Sequence, residues 1–213
     1  FHDRLLAVGA CMGEVAGWER ANWFAPPGAE AAYEYSYGKQ NWPAFPATEC
    51  RSTRDAVALY DQSSMPKFLV EGRDACAVLN RLCANDIDVA LGRVVYTQWL
   101  NEAGGIEADL TITRLAENQF MVVTAAATQA RDLAPLKRHI PADAHCVVVD
   151  ITSGLPMLSM VGPTSRARIR HIAPHADMSA AAFPFGTSRI HEIDYAQGAA
   201  SRRPNTGQTG GGG

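Results

Sequence analysis

Long apolar runs are missing from this sequence. The longest, such as Phe120 to Ala127, fall far short of the roughly 20 residues that cross a bilayer, so no membrane span is expected. An excess of positive charge is missing as well. Nineteen Lys+Arg face 22 Asp+Glu, a formal net charge of −3, which leaves no basic field to follow a phosphate backbone and excludes nucleic acid as the principal partner. There is no G-x-G-x-x-G and no G-x-x-x-x-G-K-[ST], so a flavin, a nicotinamide cofactor or a nucleoside triphosphate lacks its usual cradle. No G-x-S-x-G elbow occurs. Metal spacing is absent too, because Pro174 breaks the helix that would align His171 with His175; no metal site is expected. Arg166, Arg168 and Arg170 read as a solvated face. The five cysteines are odd in number, scattered and without a C-x-x-C pair. They argue against a disulfide scaffold and for a reducing compartment, the cytoplasm or, in a eukaryote, the mitochondrial matrix.

What is present suits a globular protein of moderate size. Hydrophobic residues make up 47% of 213 and charged residues 19%, enough to bury a core. The first residue is Phe1 and no secretory signal follows, so the chain reads as starting inside a longer protein. The stretch from Trp18 to Phe45 holds eight of 17 aromatics among prolines, with neither helical nor strand period. It reads as a strap across a neighbouring domain in preference to a ligand-stacking platform. Residues 198–213, GAASRRPNTGQTGGGG, read as a flexible tail.

Between these ends the pattern becomes regular. Thr48–Tyr60, Asp74–Cys83 and Thr128–Ile140 have helical spacing, the second with Cys76, Leu79, Leu82 and Cys83 on one stripe. Strands are expected at Lys67–Glu71, Arg93–Leu100, Ile106–Leu115 and Gln119–Ala125. Two further strands, His145–Ile151 and Pro156–Val161, look buried, and Ser188–Tyr195 could be another. Gly162-Pro163-Thr164-Ser165 opens a helix with Thr164 or Ser165 as N-cap. Helices interleaved with antiparallel hairpins make the fold class α+β.

The stretch VVYTQWLNEAGGIEADLTITR draws the eye. Asn-Glu-Ala-Gly-Gly is hairpin chemistry, since glycine supplies the positive φ that the turn demands. Beyond it Asp109, a poor strand former, stands among strand residues. Period 2 puts it on the face of Glu107, opposite Ala108 and Leu110. Asp109 therefore faces either solvent or a cleft; composition alone favours solvent.

Taken in order, Tyr96, Asn101, Glu102, Gly104, Gly105, Ile106, Asp109 and Leu110 resemble the folate-binding domain of the aminomethyltransferase (glycine cleavage T-protein) family. Asp61-x-Ser63-x-Met65, MVVTAAATQARDL and Met160-Val161-Gly162-Pro163 extend the likeness over about residues 48–195. GEVAGWERANWFAPPG is similar to the end of the central domain in the dimethylglycine and sarcosine dehydrogenase branch, as is Thr124 where the stand-alone family has Asn. The resemblance implies an incomplete aminomethyltransferase-like fold with residues 1–47 closing a preceding domain, 48–197 forming the folate-binding domain and 198–213 the tail. It implies tetrahydrofolate as cofactor, FAD only in a missing N-terminal domain, and a methylated amine or its iminium product as substrate. The flavin domain and a C-terminal barrel domain would be partners within one chain. Asp109 matches the catalytic carboxylate; Tyr96, Met65, Thr124 and Phe183 match folate-contacting positions. The family's Tyr-x-Gly-Glu motif, whose glutamate grips the pterin, has no counterpart, so weak or no folate binding and an aggregation-prone surface are expected of this chain alone. A stand-alone T-protein with a lipoyl-carrier partner, and a non-catalytic folate-binding or scaffold module, are the alternatives.

Overall fold

The computed structural model describes residues 2–191. The proposed tail, and the second half of the strand expected at Ser188–Tyr195, lie outside them. A short helix α1 (His2–Leu6) leads into a hairpin of β1 (Ala10–Val15) and β2 (Trp18–Phe24). Its two-residue turn uses positive φ at Ala16 and Gly17. The aromatic stretch thus contains a strand, and it packs largely on itself. Trp23 is fully buried, stacked 5.4 Å from Phe45 and edge-on to Tyr33, with Cys11 and Ala25 completing a small separate core. The strand period was masked because only one large side chain of β2 points inward.

Helix α2 spans Ala44–Asp55, not Thr48–Tyr60. Pro43 caps it with helical φ and Pro46 falls in the first turn, where a missing N–H costs no hydrogen bond. The expected second half is instead β3 (Ala58–Asp61), recruited by antiparallel pairing with β9 (Leu158–Val161). The C=O of Ala56, at the break, accepts the Thr164 N–H at 3.0 Å. Pairing across the chain overrides the helix propensity of the Ala-Val-Ala-Leu run.

The main sheet is antiparallel, in the order β5-β6-β7-β4-β8: β4 (Lys67–Glu71), β5 (Val94–Leu100), β6 (Ile106–Ala116), β7 (Gln119–Val123) and β8 (Val147–Asp150). One face carries Phe68, Val70, Leu110, Ile112, Phe120 and Val122, all at or near zero exposure. Against it pack α3 (Ala75–Leu82) through Val78, Leu79 and Leu82, and α4 (Gln129–Arg138) through Leu136. The stripe of α3 is rotated from the expected one: Ala75 and Val78 are buried while Cys76 and Cys83 are half-buried. Gly72, before α3, has a φ of +133°, and a Cβ there would lie 1.9 Å from the His145 carbonyl oxygen.

β8 and β9 are not the buried strands the sequence suggests. Val147 is 57% exposed and Leu158 48%, because β8 is a sheet edge and β9 belongs to a sheet of only two strands. After α5 (Ser165–Ile172), capped at Thr164 without a side-chain hydrogen bond, Thr187 makes one bridge to Arg93. Ser188 to His191 form no strand.

Candidate functional site

The β5–β6 hairpin begins with a self-contained turn. Asn101 Oδ1 accepts the N–H groups of Ala103 and Gly105 at 3.0 and 2.8 Å, and Gly104 supplies the positive φ of +80°. This Asx-type closure fixes the register, with one bulge between Trp99 and Leu100. The bulge leaves Glu107 unpaired. Its carboxylate accepts from Asn101 Nδ2 and lines a cavity of about 510 Å³ with Trp99, Ala108, Asp132 and Pro135. Glu107 is thus turned toward the helix layer, away from the face that period 2 assigned it with Asp109.

In the register, Gln98 stands opposite Asp109 and Tyr96 opposite Thr111. Tyr96 and Asp109 are therefore diagonal neighbours on the face away from the helices. The Tyr96 hydroxyl donates to Asp109 Oδ2 at 2.5 Å. That bond holds the proton on the phenol and pushes its pKa up, while Gln98 pulls the other way. Asn85 steadies the strand below, through Nδ2 to the Tyr96 carbonyl at 2.7 Å and its N–H to Thr97 Oγ1 at 3.0 Å. Both side chains are exposed, Tyr96 at 54%. Asp109 Oδ1 has no hydrogen-bond partner among the described residues. The 510 Å³ cavity includes neither residue; of its lining charges, Arg131 and Asp132 are paired with each other.

The remaining candidates separate. One cross-strand row runs Tyr96, Thr111, Val123, Lys67 over four strands, a span of about 14 Å at the usual strand spacing. Met65 and Thr124 stand at the inner end of this row. Met65 is half-buried in the β3–β4 loop, and the carbonyl of the following Pro66 accepts the Thr124 N–H at 3.1 Å. The Thr124 side chain, however, is only 1% exposed and its hydroxyl lacks a partner, so it is withdrawn from the surface on which Tyr96 stands. Phe183 is half-buried in the loop after α5. The chain just beyond it runs beside the start of β5, Val94 N–H donating to the Gly186 carbonyl at 2.9 Å. This puts Phe183 near the sheet edge but not in the Tyr96–Asp109 pair.

Sequence reasoning passed over Lys67. It is 2% exposed, with Nζ donating to the carbonyls of Ser63 and Met65 at 2.9 and 2.8 Å. Burial pushes its pKa down against the pull of Asp150 and Asp61. The available signal was a lysine opening a strand whose centre, Phe68 to Val70, is apolar.

Comparison with known proteins bears on the family and the fold. The family model for the GCVT N-terminal domain matches residues 1–210. A 4-methylaminobutanoate oxidase (formaldehyde-forming) from Paenarthrobacter nicotinovorans is 43% identical over 192 residues, covering 90% of this chain and 23% of that protein. The mitochondrial pyruvate dehydrogenase phosphatase regulatory subunit of Mus musculus is 32% identical, covering 92% and 23%. Human mitochondrial sarcosine dehydrogenase is 31% identical, covering 89% and 25%. The chain thus spans about a quarter of the length of these relatives. Among solved structures, the glycine cleavage system aminomethyltransferase T from Bartonella henselae superposes with a TM-score of 0.63 at 28% identity, over 78% of this chain and 40% of that one. With its α+β fold, its glycine-turned hairpin and its family match over nearly the whole length, the chain belongs to the GCVT N-terminal domain family.

Proposed function

We propose that the chain is the tetrahydrofolate-dependent one-carbon transfer region of a longer flavin-dependent amine dehydrogenase. The reading rests on one observation, the Tyr96–Asp109 pair exposed on the helix-free face. Bound tetrahydrofolate supplies a nucleophilic ring nitrogen for a cationic, iminium-like carbon. The chain's part is electrostatic and protonic. Asp109 sets a negative charge beside the developing cation, and its free Oδ1 takes the proton shed as the new bond forms. Tyr96, bound to Oδ2, orients the carboxylate so that Oδ1 faces the ligand. Thr111 and Met121, half-buried on the same face, add a mixed surface suited to a flat ring.

The exposure of the Tyr96–Asp109 end of this face fits a site shared with other domains. The apolar side chains left open at Val147, Val149, Leu158 and Val161 are surface for such neighbours. On the same reading residues 1–47, with their own small core, close a preceding domain, 48–197 form the folate-binding unit, and FAD belongs elsewhere in the polypeptide. Among the described residues no helix is long and apolar enough to cross a membrane. The five free cysteines suit a reducing compartment, cytoplasm or mitochondrial matrix.

The test is Asp109→Asn in the complete polypeptide, following 5,10-methylenetetrahydrofolate formation with amine oxidation as internal control. The expected loss is roughly 10²- to 10⁴-fold with oxidation intact; unchanged folate product would overturn the proposal. The similarity to a regulatory subunit favours a second reading, a non-catalytic module. That reading is the one supported if folate binds and Asp109→Asn alters nothing.

A further inference from the structure

Lys67 is the one buried ammonium among the residues described, and the chemistry proposed above does not use it. Its position is unusual for a lysine, a side chain that almost never loses its water unless paired. Two of its three N–H donors are spent on backbone carbonyls two residues apart, Ser63 and Met65. Two carbonyls that converge on one ammonium belong to a turn, and the Met65 N–H closes the same turn onto the Gln62 carbonyl at 2.9 Å. The far side of the turn is tied down as well. Gln62 N–H donates to the Met157 carbonyl at 2.9 Å, and Ser63 Oγ accepts the Met157 N–H at 3.1 Å. Lys67 is itself anchored by its main chain, its N–H to Thr152 Oγ1 at 3.1 Å and its carbonyl to the Ile151 N–H at 2.9 Å. The ammonium therefore joins the turn carrying Met65 to the strand that ends the row Lys67, Val123, Thr111, Tyr96.

We propose that Lys67 is a positioning residue: its buried ammonium clamps the 63–65 turn and so sets Met65 as the inner wall of the surface whose outer end is the Tyr96–Asp109 pair. A neutral apolar side chain of similar length would fill the space but release both carbonyls, and the turn would be free to shift relative to the sheet. The inference rests on the folate reading for its ligand, not for its geometry.

Two variants test it. Lys67→Met removes the clamp; Lys67→Arg keeps the buried charge but replaces a compact ammonium with a longer planar fork that cannot address both carbonyls in the same way. In Lys67→Arg, backbone amides of residues 63–65 should exchange with deuterium faster than in wild type, by about tenfold, with the amides of the β5–β6 ladder unchanged. In the complete polypeptide, calorimetry should show tetrahydrofolate bound roughly tenfold more weakly by either variant that folds. Combining Lys67→Met with Met65→Ala should weaken binding no further than Met65→Ala alone, the non-additivity of residues acting through one another. Unchanged exchange at 63–65 in Lys67→Arg, or wild-type affinity in a folded Lys67 variant, overturns the assignment. Wild-type polypeptide that binds no tetrahydrofolate would sink the functional reading instead, and the exchange measurement would then decide the clamp by itself.

Discussion

The two faces of the five-stranded sheet share one backbone and one register, yet are built on different rules. On the helix side, Phe68, Val70, Leu110, Ile112, Phe120 and Val122 are enclosed by α3 and α4. Every atom there has neighbours, so shape and volume decide which residue is accepted. On the other side, Tyr96 and Asp109 touch chiefly each other and solvent. Folding demands neither of them. An aspartate in a strand is in fact mildly unfavourable, so its presence calls for a chemical reason where Leu110 beside it needs only a packing one.

The sharpest way to break this contrast is to truncate one residue on each face and compare unfolding. Phe120→Ala should cost about 3 to 5 kcal/mol, read as a lower denaturant midpoint at unchanged slope, since Phe120 is wholly enclosed and also lies under the Arg114 guanidinium. Asp109→Asn should leave the midpoint where it is. Equal effects from the two would mean that the exposed face is as structural as the buried one.

A second, smaller effect belongs to the helix side. Cys83 ends α3, bridges to Trp99, and burial pushes its thiol up to about 11 from an ordinary value near 9. Because the thiol ionises at higher pH in the folded state than in the unfolded one, it costs stability as pH rises; below about pH 9 both states are protonated and nothing is lost. Between about 9 and 11 the unfolded chain releases a proton that the folded chain retains, so stability falls by on the order of 2 kcal/mol across that window. Cys83→Ala should flatten that part of the stability–pH curve relative to wild type. In the same experiment the exposed Cys50 should alkylate quickly at pH 8 and Cys83 slowly; equal labelling would show that Cys83 is not enclosed.

The same contrast explains what could be read from the chain. The helix-side strands were legible because alternation and glycine turns are local: β4, β5, β6 and β7 fall within two residues of their expected bounds. Tyr96 and Asp109 were singled out through the family resemblance, and the local Asn101–Gly105 turn sets the register that brings them side by side. Long-range pairing was not legible. Nothing local in Ala56–Asp61 says that it will meet Leu158–Val161, so it read as helix. The withdrawal of the Thr124 side chain and the burial of Lys67 depend on strand pairing with distant segments, while the bulge that turns Glu107 away is local but breaks the period-2 alternation on which its face was assigned. Exposure of β8 and β9 was hidden for a different reason: apolar strands look the same in sequence whether the surface that covers them is in the chain or elsewhere.

The finest test of the contrast is Tyr96→Phe, which keeps the ring and deletes only the donor to Asp109. Because both groups are exposed, the melting temperature should stay within about 2 °C of wild type. Activity should respond more. Without the phenol, the carboxylate is free to rotate and to share its charge with water, and one-carbon transfer in the complete polypeptide should fall roughly tenfold, mainly in kcat. The pH profile supplies an independent check. The bond to Asp109 raises the pKa of Tyr96, so wild type keeps its donor beyond the usual range of about 10, and any activity limb from this phenol must lie above that value and vanish in Tyr96→Phe. A limb below pH 10 that the substitution removes would mean that Tyr96 works as an acid in its own right, not as the holder of Asp109.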